Sequence, residues 1–148
     1  MTDPTQSLMP GVPQAARWLG LAGVIPFASF ALAAWMVPGP LTLAVLGGYG
    51  AVILSFMGGC RWGLAAAGMG EGPAFLPLAL SVLPALYAWI ALLLPWPWAG
   101  VALALGFALL LVADLALARE GGAPPWWPAL RWPLSVAAGG SLLLGALA

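Results

Sequence analysis

Asp114 is the one acid inside an otherwise uncharged apolar run, Trp98–Leu117. The chain's four basic residues are all arginines, at 17, 61, 119 and 131. A carboxylate within a membrane helix is a functional candidate by default, because placing it at the bilayer centre costs about 2.5–3.5 kcal/mol on insertion scales. Asp114 is close to the end of its run, where the cost is smaller. Arg61 and Arg131 close or open neighbouring apolar runs on the same face, so both are candidate partners. The expected chemistry is a buried ion pair, Asp114 with Arg61 or Arg131, that locks helix packing. A proton relay would need a second acid or a histidine at another depth, and histidine is absent. An enzymatic reading would have Asp114 and Arg61 as its only site.

Other reactive groups are few. Cys60 is the single cysteine, so an intramolecular disulfide is impossible. Lysine is absent as well. There is no phosphate loop, no dinucleotide fingerprint and no metal-ligand cluster. No metal, cofactor or catalytic residue is therefore expected. A net charge of zero gives no surface for nucleic acid. Ser29, Tyr49, Tyr87 and Ser141 fall at similar depth on four different runs. They are a candidate polar layer around a small ligand cavity, or else simple interhelical hydrogen bonds worth about 0.6 kcal/mol each. Gly58, Gly59 and Gly63 are candidate packing glycines, the last two in small-xxx-small spacing.

The elements that must hold these residues follow from composition. Of 148 residues, 64% are hydrophobic and 5% charged, against about 25% charged in soluble domains. Mean hydropathy is +1.06. Such a chain cannot cover itself with polar surface, so its solvent is lipid. After a polar segment, 1–16, five continuous apolar runs are long enough to cross ~30 Å of hydrocarbon. They lie at about 18–37, 41–60, 75–94, 98–117 and 132–147. Continuous runs, rather than alternating ones, predict helices. Residues 17–148 thus form one five-helix transmembrane bundle, an all-α membrane fold. Prolines 26 and 84 should kink the first and third helices. The glycine-rich second helix should be central.

With five spans, all four arginines fall on the side of the N-terminus, together with Asp3, Glu71 and Glu120. The positive-inside rule then places the N-terminus in the cytoplasm and the C-terminus outside. The tryptophans fall into two interfacial belts: 18, 62, 126, 127 and 132 at the inner ends, and 35, 96 and 98 at the outer ends. Arg61-Trp62 reads most simply as the inner anchor of the second helix. The run Pro124–Pro128 should lie flat in the inner headgroup region.

The segment Tyr49-Gly50-Ala51-Val52-Ile53-Leu54-Ser55-Phe56-Met57-Gly58-Gly59, followed by Arg61-Trp62-Gly63, resembles the signature of the transmembrane protein 69-like family of unknown function. Trp18-Leu19-Gly20, Pro26-Phe27, Ser81–Pro84, Asp114, Pro125-Trp126, Leu130-Arg131 and Pro133-Leu134 extend the resemblance over most of the chain. It implies a small helical protein of bacterial or mitochondrial inner membranes and transfers no catalytic residue. The expected location is the bacterial inner membrane. The expected role is a non-catalytic accessory, assembly or scaffold subunit, with the bilayer and other membrane subunits or further copies of the chain as partners. The alternative is a small transporter or binder of an apolar ligand, such as a quinone or lipid, at the Tyr49/Tyr87 layer.

Overall fold

The computed structural model describes residues 11–70, 73 and 75–148. Asp3 and Glu71, two of the acids assigned to the arginine side, lie outside the described residues, as do the first ten residues of the polar segment. The described chain forms five α-helices: α1 Gln14–Met36, α2 Pro40–Ala66, α3 Phe75–Ala91, α4 Trp98–Arg119 and α5 Trp127–Ala146. There are no strands among the described residues. Short connectors make sequential helices antiparallel. α2 touches all four other helices, while α1 packs on α2 and α5, and α3 on α2 and α4.

Small residues set the closest approaches. A methyl group added at Gly58 would stand 2.6 Å from the Ser81 carbonyl oxygen, so only glycine lets α2 lie directly on the α3 backbone. Gly20 faces Leu134 across the α1–α5 contact, and Gly106 receives the Tyr87 ring. A methyl group added at Gly59 or Gly63 would meet no other described residue within 4 Å. They therefore pack against no helix of the described chain, because one residue advances a helix by ~100°. Gly58 points into the bundle, whereas Gly59 and Gly63 join Val52 and Phe56 on the exposed face.

The core centres on Phe27, whose ring meets Tyr49 edge-on at 4.8 Å and Phe107 at 5.8 Å between centroids. Around it lie Leu46, Leu54, Leu103 and Leu142. Outside this core the surface is largely aliphatic, with Leu19, Val52, Leu83, Leu105 and Val136 all exposed. At the end opposite the arginines, Trp96 turns inward and donates from Nε1 to the Gly145 carbonyl at 3.0 Å. Its ring packs over the positions of Gly47, Gly100 and Gly145. Trp96 thus plugs the bundle rather than anchoring it in headgroups.

Three helices, α1, α2 and α4, are long and apolar enough to cross a membrane. The expected set was five. α3 has 17 helical residues because the helix ends at Ala91, three residues before the end of the apolar run at 94. α5 begins five residues earlier than its apolar run, and its first two turns take in Trp127, Pro128, Arg131, Trp132 and Pro133.

Candidate functional site

Helix ends that overshoot the hydrophobic runs build the charged site. α2 does not stop at Cys60 but continues to Ala66, so Arg61 is a helical residue inside the bundle's contact stripe. It ends in a glycine turn: Gly68 takes φ +74°, and Met69 N donates to the Leu64 carbonyl. α4 closes the same way at Gly121, φ +77°, with Gly122 N donating to the Leu117 carbonyl at 2.9 Å. That turn folds Pro124–Trp127 back under the bundle, so Trp127 is buried at the start of α5 rather than lying flat in headgroups. Arg131 then sits on the second turn of α5, level with Asp114.

The carboxylate of Asp114, 1% exposed, is shared by two guanidinium groups. Oδ1 accepts from Arg61 Nη1 at 2.7 Å and Oδ2 accepts from Arg131 Nε at 2.6 Å. Both candidate partners are thus present at once, and three helices are tied through one side chain. The two arginines are not equivalent. Arg61 is 14% exposed on its side chain and faces a cavity of about 600 Å³ that also meets Arg119 and Glu120 at the ends of the helices. Arg131 is 3% exposed on its side chain.

Arg131 has five N–H donors and no acceptor. Nε is satisfied by Asp114, and Nη1 lies on the thioether of Met57, a weak acceptor. Nη2 is buried without an acceptor among the described residues. The same holds for Trp127 Nε1 and for Ser135 Oγ. Residues 127, 131 and 135 are spaced four apart, so the three lie along one face of α5. Burying a donor unpaired costs about 1–3 kcal/mol.

Trp127 and Arg131 border a cavity of about 320 Å³ between α1, α2 and α5. Its other walls are apolar: Gly23, Phe27, Ile53, Met57, Phe107 and Leu134 among them. Leu19 and Phe56, also part of the wall, are exposed on the outer surface, so the cavity opens laterally. Cys60 lines it as well and is half-buried.

The proposed polar layer does not assemble. The Tyr49 hydroxyl donates to the Gly23 carbonyl at 2.9 Å, tying α2 to α1. The Tyr87 hydroxyl donates to the Ala102 carbonyl at 2.7 Å, tying α3 to α4. Ser29 is exposed, and Ser141 is only partly buried on α5. Equal depth did not bring the four to a common azimuth. Ser81, beside Pro84, donates to the Leu78 carbonyl at 2.6 Å. Sequence reasoning missed Trp127 and Met57 as neighbours of the triad. The signal available was the 127/131/135 spacing.

Apolar helices clad in exposed aliphatic side chains, around a buried carboxylate held by two arginines, define a multi-pass helical membrane protein. The chain belongs to the family described as protein of unknown function (DUF3429), whose model matches residues 12–147. It is 39% identical over 145 residues to Transmembrane protein 69 of Xenopus tropicalis, covering 88% of this chain and 53% of that protein. It is 33% identical over 124 residues to Transmembrane protein 69 of Mus musculus, covering 80% of this chain and 50% of that protein. The chain therefore spans about half the length of these relatives. No solved structure matches it.

Proposed function

We propose that this is an inner-membrane protein whose five helices all span the bilayer, and that it binds an apolar ligand without catalytic machinery of its own. The observation that carries the reading is the laterally open cavity between α1, α2 and α5. At about 320 Å³ it falls within the ordinary range of ligand sites, and it has the usual make-up of apolar walls with a few placed polar groups. It replaces the Ser29/Tyr49/Tyr87/Ser141 layer as the candidate site. In support of five spans, the 17 residues of α3 rise ~25 Å, and pairing with Asp114 offsets the charge of Arg131 on α5. All four arginines belong to one end of the alternating bundle, which favours a cytoplasmic N-terminus.

Two measurements test this. Reporter tags at the two termini should read from opposite compartments; the same compartment for both would remove the five-span topology. Protein extracted gently from native membranes should carry a near-stoichiometric apolar molecule by native mass spectrometry. Gly23→Phe, which fills the cavity, should lose it. Equal retention by the variant would remove the cavity as the site.

An accessory or scaffold role is the second reading. Gly59 and Gly63, unopposed within 4 Å, leave a face on α2 where another membrane helix could lie close. A subunit that co-purifies with the wild type and is lost in Gly59→Leu would favour it.

A further inference from the structure

Taking the cavity as a ligand site, we infer that its ligand is a single-chain amphiphile with an anionic carboxylate head, seated on Arg131 Nη2 and Trp127 Nε1. Three observations converge on this. The first is the donor set. Both nitrogens are buried and lack an acceptor among the described residues, and their side chains, 3% and 8% exposed, border the same cavity. Rotation of either side chain toward the cavity it borders would let an entering oxygen acceptor complete hydrogen bonds that the fold leaves unmade. The second is charge. Two guanidinium groups share one buried carboxylate, so the three side chains together carry a formal net +1. Arg61 faces the cavity at the helix ends, which leaves the unmet demand on Arg131. An anion meets that demand better than a neutral carbonyl does. The third is size and access. About 320 Å³ holds on the order of ten water-sized groups, enough for one short chain and too little for two acyl chains. The lateral mouth beside Leu19 and Phe56 lets a tail enter from the bilayer while the head reaches the α5 end of the cavity.

Cys60 supplies the readout, because it is the chain's only cysteine and lines the same cavity. The full chain in phosphatidylcholine nanodiscs is treated with N-ethylmaleimide, and the alkylation rate is followed by intact mass. Dodecanoate should slow Cys60 alkylation at concentrations about tenfold lower than dodecanol needs, one charge-assisted hydrogen bond being worth about that factor. Dodecyltrimethylammonium should not protect. Trp127→Phe keeps an aromatic side chain but loses the indole N–H, so it should shrink the advantage of dodecanoate over dodecanol. Arg131→Gln leaves a neutral Arg61–Asp114 pair and should abolish that advantage. Equal protection by dodecanoate and dodecanol would overturn the anionic head while leaving the apolar-ligand reading standing. Protection by phosphatidylglycerol in the nanodisc but not by dodecanoate would overturn the single-chain assignment. No protection by any of these compounds would remove both readings.

Discussion

Removing Asp114 should destabilise the fold more than removing either arginine. In Asp114→Asn the amide keeps the shape but not the charge, and two guanidinium groups less than 3 Å from the lost carboxylate oxygens face each other uncompensated. Breaking a buried ion pair by deleting one partner costs about 3–5 kcal/mol, because the remaining charge is stranded. Here two charges are stranded, one fully buried and one 14% exposed on its side chain, so the loss belongs at the upper part of that range. Arg131→Gln and Arg61→Gln behave differently, since each leaves a matched pair. Arg131→Gln should cost about 1–2 kcal/mol, and Arg61→Gln less still, because Arg61 is already partly screened at the helix ends. The triple variant Arg61→Met, Asp114→Leu, Arg131→Met should recover most of the loss, since replacing a buried ionic group with apolar residues of similar size is often neutral or better. Unfolding in mixed micelles, followed by tryptophan fluorescence, ranks the four proteins. If Asp114→Asn unfolds within about 1 kcal/mol of wild type, or Arg131→Gln proves the more damaging, the carboxylate is not the keystone of the charged site and the net +1 assigned to it is wrong.

The neighbouring glycines of α2 give a matched pair. Gly58→Ala drives a methyl against the Ser81 backbone oxygen and should cost about 1–3 kcal/mol. Gly59→Ala, with nothing within 4 Å, should be neutral or stabilising by up to about 1 kcal/mol. Equal unfolding midpoints for the two would refute the close α2–α3 approach. Trp96→Ala removes a ring packed over three glycines and the indole bond to Gly145, and should cost about 3–5 kcal/mol. A loss under 1 kcal/mol would mean that Trp96 is an interfacial anchor after all.

Depth along the helix was legible in this sequence, and azimuth was not. Hydropathy marked five helical segments and put Asp114, Arg61 and Arg131 near one end, because a run of apolar residues reports how far a chain travels through lipid. It carries no information about which side of a helix a residue occupies. In lipid both the inner and the outer faces are apolar, so the usual contrast between a greasy core face and a charged water face disappears. Ser29 and Tyr49 match in depth but point to different surroundings, and of the neighbouring glycines it is Gly58, not Gly59, that meets another helix of the described chain. Run ends also misplaced the helix ends. Hydropathy stops counting at the first charge, so it puts Arg61 just past the second run and Arg131 just before the fifth, whereas both are helical.

The missing azimuth was present in a subtler form. On α4 the buried positions run Gly100, Leu103, Phe107, Leu110 and Asp114, and on α5 they run Trp127, Arg131, Ser135, Ala138, Leu142 and Gly145. On α2 the stripe Gly47, Gly50, Leu54 and Gly58 points on to Arg61. Each charged residue continues its helix's buried stripe at three- or four-residue spacing. By contrast Trp62 and Trp132, one position further along, turn outward. A charge that keeps phase with small and apolar residues is directed inward, where it needs a partner, whereas an anchoring arginine has no reason to keep that phase. Three such charges at one end of three touching helices therefore imply one shared site. Two of the three are positive and one is negative, and Arg131 among them borders the laterally open cavity.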